Sequence, residues 1–296
     1  MLLASNIKMV LLAAAGFAGP LAMTTGLPVQ IDQPGGDRPA LVELQPGATR
    51  YRAAGDFTRA GKPAEAPLTT IRFAHPFAIM RHQVSGADYQ RCVADGACRA
   101  LPADAAIAAD RPAVQVSWRD ADAYAAWLSR RTGETYRLPT DQEWAYAAGS
   151  RYQDDGLPVD DDPARRWLAR YEREASLKEA RSDGAVRPFG AFGANENGLV
   201  DVGGNVWEWT DTCFVRTAIN AAGAADGVTA NCGVRVVEGQ HRSYVTDFIR
   251  DARAGGCAAG VPPSHLGFRL VREPTSWMPR IVAGLTRRGT SNFTPP

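Results

Sequence analysis

The chain lacks a charge imbalance: 33 lysines and arginines stand against 32 aspartates and glutamates, for a net charge of +1. It has no run of basic residues either, because acidic ones interrupt them almost throughout. Nucleic-acid binding needs clustered positive charge, so no nucleic acid is expected as a partner. A long apolar run is also missing. Met9–Ala22 is shorter than the roughly 18–20 residues a spanning helix needs, and Gly16, Gly19 and Pro20 interrupt it. With Lys8 before it, residues 1–23 read as a signal peptide, although Pro20-Leu21-Ala22 is a poor cleavage site. The expected location is periplasmic or secreted, with no stable membrane insertion once the signal is removed. There is no internal repeat, which excludes solenoid and propeller architectures.

Cysteine is scarce, at five residues, but export to an oxidising compartment makes disulfides available. Cys92 and Cys98 bracket a loop short enough to close locally. Cys213 and Cys232 flank the small-residue stretch Ala218–Gly227 and form the next pair, which leaves Cys257 over. Other pairings stay open, since sequence alone does not fix connectivity.

Residues 24–66 are rich in Gly, Pro and Ala with little periodicity, and read as a linker and a loosely packed N-terminal extension. The main domain is expected over 67–273, opening with an extended run through Ile71, Phe73, Phe77, Ile79 and Val84, and 274–296 reads as a polar tail. Helix starts are marked at Ser85, Ser117 and Thr140, each a hydroxyl with an acid three residues on. Thr140 with Glu143 makes a full capping box, and the Asp versions are weaker. Ala121, Tyr124, Ala125 and Leu128 give the second helix a buried face. The third ends at Gly149. Ser150–Arg187 is charged and reads as a surface insertion, while Leu266–Val271 alternates as a closing strand.

The segment Gly198–Trp209 carries the most chemistry. Asp201 and Glu208 flank two glycines, whose carbonyls can turn inward because no Cβ obstructs them. Ca²⁺ takes about six to eight oxygens, mixing carboxylate with backbone carbonyl. The side chains of Asp201 and Glu208, with the carbonyls of Gly204 and Val206, supply part of such a shell. The alternative is that both carboxylates satisfy loop amides.

Gly198-Leu199-Val200-Asp201 followed by Gly204-Asn205-Val206-Trp207-Glu208-Trp209 resembles the signature of the formylglycine-generating-enzyme, or sulfatase-modifying-factor, family. Tyr136–Thr140 with Glu143-Trp144 is similar to its other hallmark. Pro112, Val114, Val116–Trp118, Asp120-Ala121, Tyr124 and Trp127-Leu128 match the segment between, and Leu266–Arg269 matches its closing strand. The resemblance implies an α+β, C-type-lectin-like fold with much irregular structure. It also implies a structural calcium ion on Asp201, Gly204, Val206 and Glu208. The family's other calcium site has no clear match.

Members that make formylglycine hold copper(I) between two cysteines upstream of the closing strand, because soft thiolates select that ion. The matching positions fall near Gln240–His241 and Val245–Thr246, and Gly233–Gly256 contains no cysteine. Copper is therefore not expected. Cys257 reads as structural or unpaired, with a lone thiolate beside His241 as the sharper alternative. The equivalent cleft offers His241, Arg242, Tyr244, Asp247, Arg250 and Arg253. His241 is the candidate general base and Tyr244 the candidate proton donor or stacking surface, with Arg250, Arg253 and Trp209 as candidate substrate contacts. The duller reading pairs Arg250 and Arg253 with Asp247 and Asp251 on a helix face. Three functions remain: oxidative tailoring of a secreted small molecule or peptide, as in the family's periplasmic pyoverdine-maturation branch; a lectin-like binding module; and an atypical formylglycine-generating enzyme.

Overall fold

A computed structural model describes residues 38–102, 108–154, 156, 162, 164, 165, 167–169, 171, 172, 185–252 and 265–274. The chain divides into two units, Met1–Gln33 and Pro34–Pro296, and every described residue belongs to the second. The expected signal peptide, Arg253, Cys257 and nearly all of the C-terminal tail lie outside the described residues.

Chain order begins with β1 (Leu41–Leu44), β2 (Gly47–Arg52), β3 (Asp56–Arg59), β4 (Lys62–Ala64), β5 (Leu68–Phe73) and β6 (Phe77–Met80). It continues with α1 (Gly86–Ala94), α2 (Trp118–Thr132), β7 (Tyr136–Arg137) and α3 (Asp141–Ala148). The last elements are β8 (Trp207–Ile219), β9 (Ala225–Glu238), β10 (Ser243–Thr246), β11 (Leu266–Gly267) and β12 (Val271–Arg272). The fold is mixed α+β, as expected.

The loose N-terminal extension is a correction. From Leu41 onward it is strand: β1 pairs antiparallel with β6, and β3 runs parallel to β8. Leu44, Tyr51, Ala54, Phe57 and Ala66 are buried there. These strands are too short to show a period, and their partners lie far along the chain.

The helices start where the hydroxyls stand. Ser85 caps α1, and full capping boxes open α2 (Ser117 with Asp120) and α3 (Thr140 with Glu143). The second box is complete with Asp in the acid position. Ala121, Tyr124, Ala125 and Leu128 bury the predicted face of α2 with Trp127 beside them, and the helix stops at Gly133 with φ of +75°. That face packs on Trp207, Trp209, Phe268 and Leu270 in the main core.

Strands β8 and β9 form a long hairpin turned at Asn220–Ala224. The expected disulfides are both present. Cys213–Cys232 staples this hairpin next to a register shift, and Cys92–Cys98 closes the end of α1. The six-stranded sheet runs β10-β9-β8-β3-β4, with β11 parallel to the start of β8. Among the described residues, no helix is long and apolar enough to cross a membrane.

Candidate functional site

The tryptophan-rich segment bends into β8 through Asp201, which adopts φ of +56°. Its carboxylate accepts the backbone N–H groups of Gly190 (2.7 Å) and Phe192 (2.8 Å). Burial is the largest influence on that carboxyl and holds it above the usual carboxylate range against those two bonds. Glu208 is fully buried and meets Arg269 at two points, 2.6 and 2.7 Å. Each of its oxygens takes a second donor, Trp144 Nε1 at 2.9 Å and Gln83 Nε2 at 2.7 Å. The ring of Phe192 lies over Gly204, where a Cβ would come within 2.8 Å of it.

The placement of Glu208 does not fit its expected part as a calcium ligand. A carboxylate already accepting four N–H groups has no lone pair left for a cation. Asp201 satisfies loop amides, the alternative the sequence had left open, and Glu208 satisfies an arginine and two side-chain donors. Among the described residues, no group of three or more His, Cys, Asp and Glu side chains could hold a metal ion.

Two proposed substrate contacts are structural. Trp209 is fully buried and its indole donates to the Val116 carbonyl at 2.8 Å, so it forms core rather than a contact surface. Arg250 grips Asp120 with two 2.7 Å bonds and donates a third to the Ala100 carbonyl. It does not pair with Asp247, which Arg119 holds instead at 3.0 and 3.2 Å. Burial pushes Asp120 up, but the bonds from Arg250 and Ser117 outweigh it and leave the carboxyl below its ordinary value.

His241 sits on the turn from β9 into β10 and Tyr244 on β10 itself, and they face different neighbours. The Tyr244 hydroxyl accepts the Gly55 N–H at 2.7 Å, and its ring meets Phe214 edge-on at 5.2 Å. His241, half-buried, stands edge-on to Trp207 at 5.4 Å, and its carbonyl accepts the Trp207 indole N–H at 3.1 Å. Its Nδ1 lies 2.9 Å from the Arg242 carbonyl. A carbonyl only accepts, so Nδ1 carries a proton in this geometry, and in the neutral ring the lone pair falls on Nε2. That lone pair has no partner among the described residues.

Below this turn lies a cluster that sequence reasoning missed. The Arg242 guanidinium is buried between Glu238 (2.7 Å) and Asp141 (3.1 Å), and donates to the Arg52 carbonyl and the Tyr152 hydroxyl, both at 3.0 Å. It also lies over the rings of Tyr51 and Tyr152, at 5.4 and 5.9 Å. Tyr51 donates to Asp141 Oδ2, and burial raises both phenols above their ordinary value. Tyr51 lies on β2, Asp141 begins α3, and Tyr152 follows the short turn after that helix. No local pattern links them to Arg242.

A family model for the sulfatase-modifying factor enzyme 1-like domain matches residues 29–274. The chain belongs to this family. Among curated members, the formylglycine-generating enzyme of Mycobacterium tuberculosis is 33% identical over 61% of this chain and 65% of its own length. That of Streptomyces coelicolor is 30% identical over 55% and 53%. The inactive C-alpha-formylglycine-generating enzyme 2 of Bos taurus is 33% identical over 52% and 53%. The chain thus spans between about half and two thirds of the length of these relatives. The solved structure of PvdO from Pseudomonas aeruginosa superposes with a TM-score of 0.51 at 24% identity, covering 80% of this chain and 95% of that one. At that identity the likeness concerns the fold.

In this sulfatase-modifying-factor-type domain, the positions matched to copper cysteines are occupied by other chemistry. Gln240 is half-buried at the turn, and Val245 is fully buried on β10 within the main core. All described cysteines are disulfide-bonded.

Proposed function

We propose that this family member is an exported tailoring enzyme that oxidises an electron-rich small molecule, with His241 as its base and without a copper thiolate pair. The observation that carries this reading is the His241 ring. Its Nδ1–H is committed to the Arg242 carbonyl, which in the neutral ring leaves the lone pair on Nε2, on the turn where copper-dependent relatives place thiolates. A carbonyl holding one ring nitrogen sets the tautomer and orientation of the other, as a general base requires.

The chemistry balances with dioxygen as the oxidant. Nε2 takes a proton from a phenolic O–H or ring N–H of a catechol-like or dihydroquinoline-like substrate. The anion gives up two electrons to O₂, and the substrate loses a second proton. The products are the quinone or aromatised ring and hydrogen peroxide. The resemblance to the pyoverdine-maturation branch supports this substrate class, and two disulfides support an oxidising compartment. Identity alone does not decide activity, since a relative named as a formylglycine-generating enzyme and one named as inactive share the same 33% with this chain.

One observation favours a second reading, a binding module. Trp167 and Tyr171 stack at 5.5 Å and 13° with 66% and 58% of their surfaces exposed, an aromatic platform of the kind ligand-binding domains present. Oxygen uptake by purified protein separates the two readings. Uptake with peroxide formation on either substrate class supports the enzyme. No uptake on both classes under any metal loading rejects it.

A further inference from the structure

We infer that two arginine guanidinium groups, Arg269 and Arg151, do in this chain the cross-linking that a bound divalent cation does in a carbonyl-rich loop, so the tryptophan-rich segment is held without a metal. The inference concerns the scaffold and stands independently of the reaction.

Residues 190–206 have little regular secondary structure, and the carbonyls of Phe192, Gly193, Ala194, Val200 and Val202 take donors from arginine side chains. Buried carbonyls must find a donor or a cation. Arg269, fully buried, donates to both oxygens of Glu208 and to the carbonyls of Met80 (3.2 Å), Arg81 (3.1 Å) and Val200 (3.1 Å). That uses every N–H a guanidinium has. It also neutralises the one carboxylate that the resemblance would give to a metal from β8.

Arg151 does the same from the other side. Its Nη1 donates to the carbonyls of Gly193 (3.3 Å) and Val202 (3.4 Å), and its Nη2 to those of Phe192 (2.9 Å) and Ala194 (3.1 Å). Four carbonyls converging on one cation is how a loop binds calcium. Here the cation is tethered to the short turn that follows α3. A tethered guanidinium is planar, permanently charged and cannot be removed by a chelator. Gly203 lets the backbone approach, because a Cβ there would lie 3.3 Å from the Arg151 carbonyl.

The test is the melting temperature of the full chain with calcium and with excess EGTA, beside calorimetric titration of calcium into the chelated protein. The expected result is the same melting temperature in both conditions and no heat of stoichiometric binding. Arg151→Ala should lower the melting temperature by roughly 2–4 °C, because the carbonyls of Phe192, Ala194 and Val202 lose this donor together while Gly193 keeps the Asp201 N–H. A drop on adding EGTA to the parent, or one calcium bound per chain, overturns the inference. So does an Arg151→Ala protein that melts like the parent. Arg151 is used because it is only half-buried, whereas an Arg269 variant would expose the core to an unpaired Glu208.

Discussion

Glu208 and Arg269 form a two-point ion pair, at 2.6 and 2.7 Å, with no solvent contact on either side chain. One stands at the start of β8 and the other between β11 and β12, so the pair ties the tryptophan-rich segment to the closing strands. Each partner is costly to bury alone. Arg269→Met is expected to lower stability by about 3–5 kcal/mol, because it leaves a buried carboxylate uncompensated. The double variant Arg269→Met/Glu208→Gln should recover part of that loss. Urea midpoints at pH 7 measure both, and equal midpoints for parent and single variant would refute the account of this pair.

His82 makes stability fall with acid. Its ring packs on Phe189 at 5.0 Å, and burial first, then the charges of Arg269 and Arg81, push its pKa down to about 4. In the unfolded chain an imidazole takes its proton near 6.5. The unfolded state therefore binds the proton first, and stability linked to His82 is complete above about 6.5 and lost as pH falls toward about 4. His82→Phe should flatten that part of the urea-midpoint-against-pH curve. An unchanged slope counts against the burial described for this ring.

A separate acid effect comes from Asp120, whose carboxyl lies below its ordinary value in the folded protein. Its stabilisation is present above the ordinary carboxylate range and lost as pH falls through the depressed folded value. Arg250→Gln should remove much of this low-pH loss and lower stability at neutral pH. Thermal melts at pH 7 and pH 3 read both effects, and a variant with the parent's pH dependence would show that Arg250 does not hold Asp120.

The β8–β9 hairpin depends on its staple. Cys213 and Cys232 are 19 residues apart, and closing a loop of that length contributes about 3 kcal/mol through the unfolded chain. The double variant Cys213→Ser/Cys232→Ser should lose about that much, and Cys92→Ser/Cys98→Ser less, since the latter pair is separated by 6. Guanidinium denaturation of oxidised protein ranks them. The reverse order would place the hairpin's stability elsewhere.

What the sequence made readable was local. Ser85, Ser117 and Thr140 start their helices because a hydroxyl cap acts within one turn, and the paired cysteines lie close enough along the chain to find each other. What it hid was long-range. Glu208 looks like a metal ligand until Arg269 is placed against it, and the loop amides of Gly190 and Phe192 that meet Asp201 lie outside its own segment. Trp209 belongs to a signature that reads equally as a contact surface or as core, and only burial separates these. Strands β1, β3 and β4 carry only three or four residues, and β1 and β3 pair with strands far along the chain. Arg242 was legible as a cleft residue, but not as the clamp that joins Asp141, Glu238, Tyr51 and Tyr152.

The central claim is base chemistry at His241 without copper, and the most direct measurement is the oxygen-uptake rate of metal-stripped protein beside His241→Gln on one electron-rich phenolic or dihydroquinoline substrate. The account predicts that stripping leaves the parent rate intact and that the variant loses roughly 100-fold or more. Equal rates in parent and variant, or uptake that disappears with copper and returns when copper is restored, would contradict it.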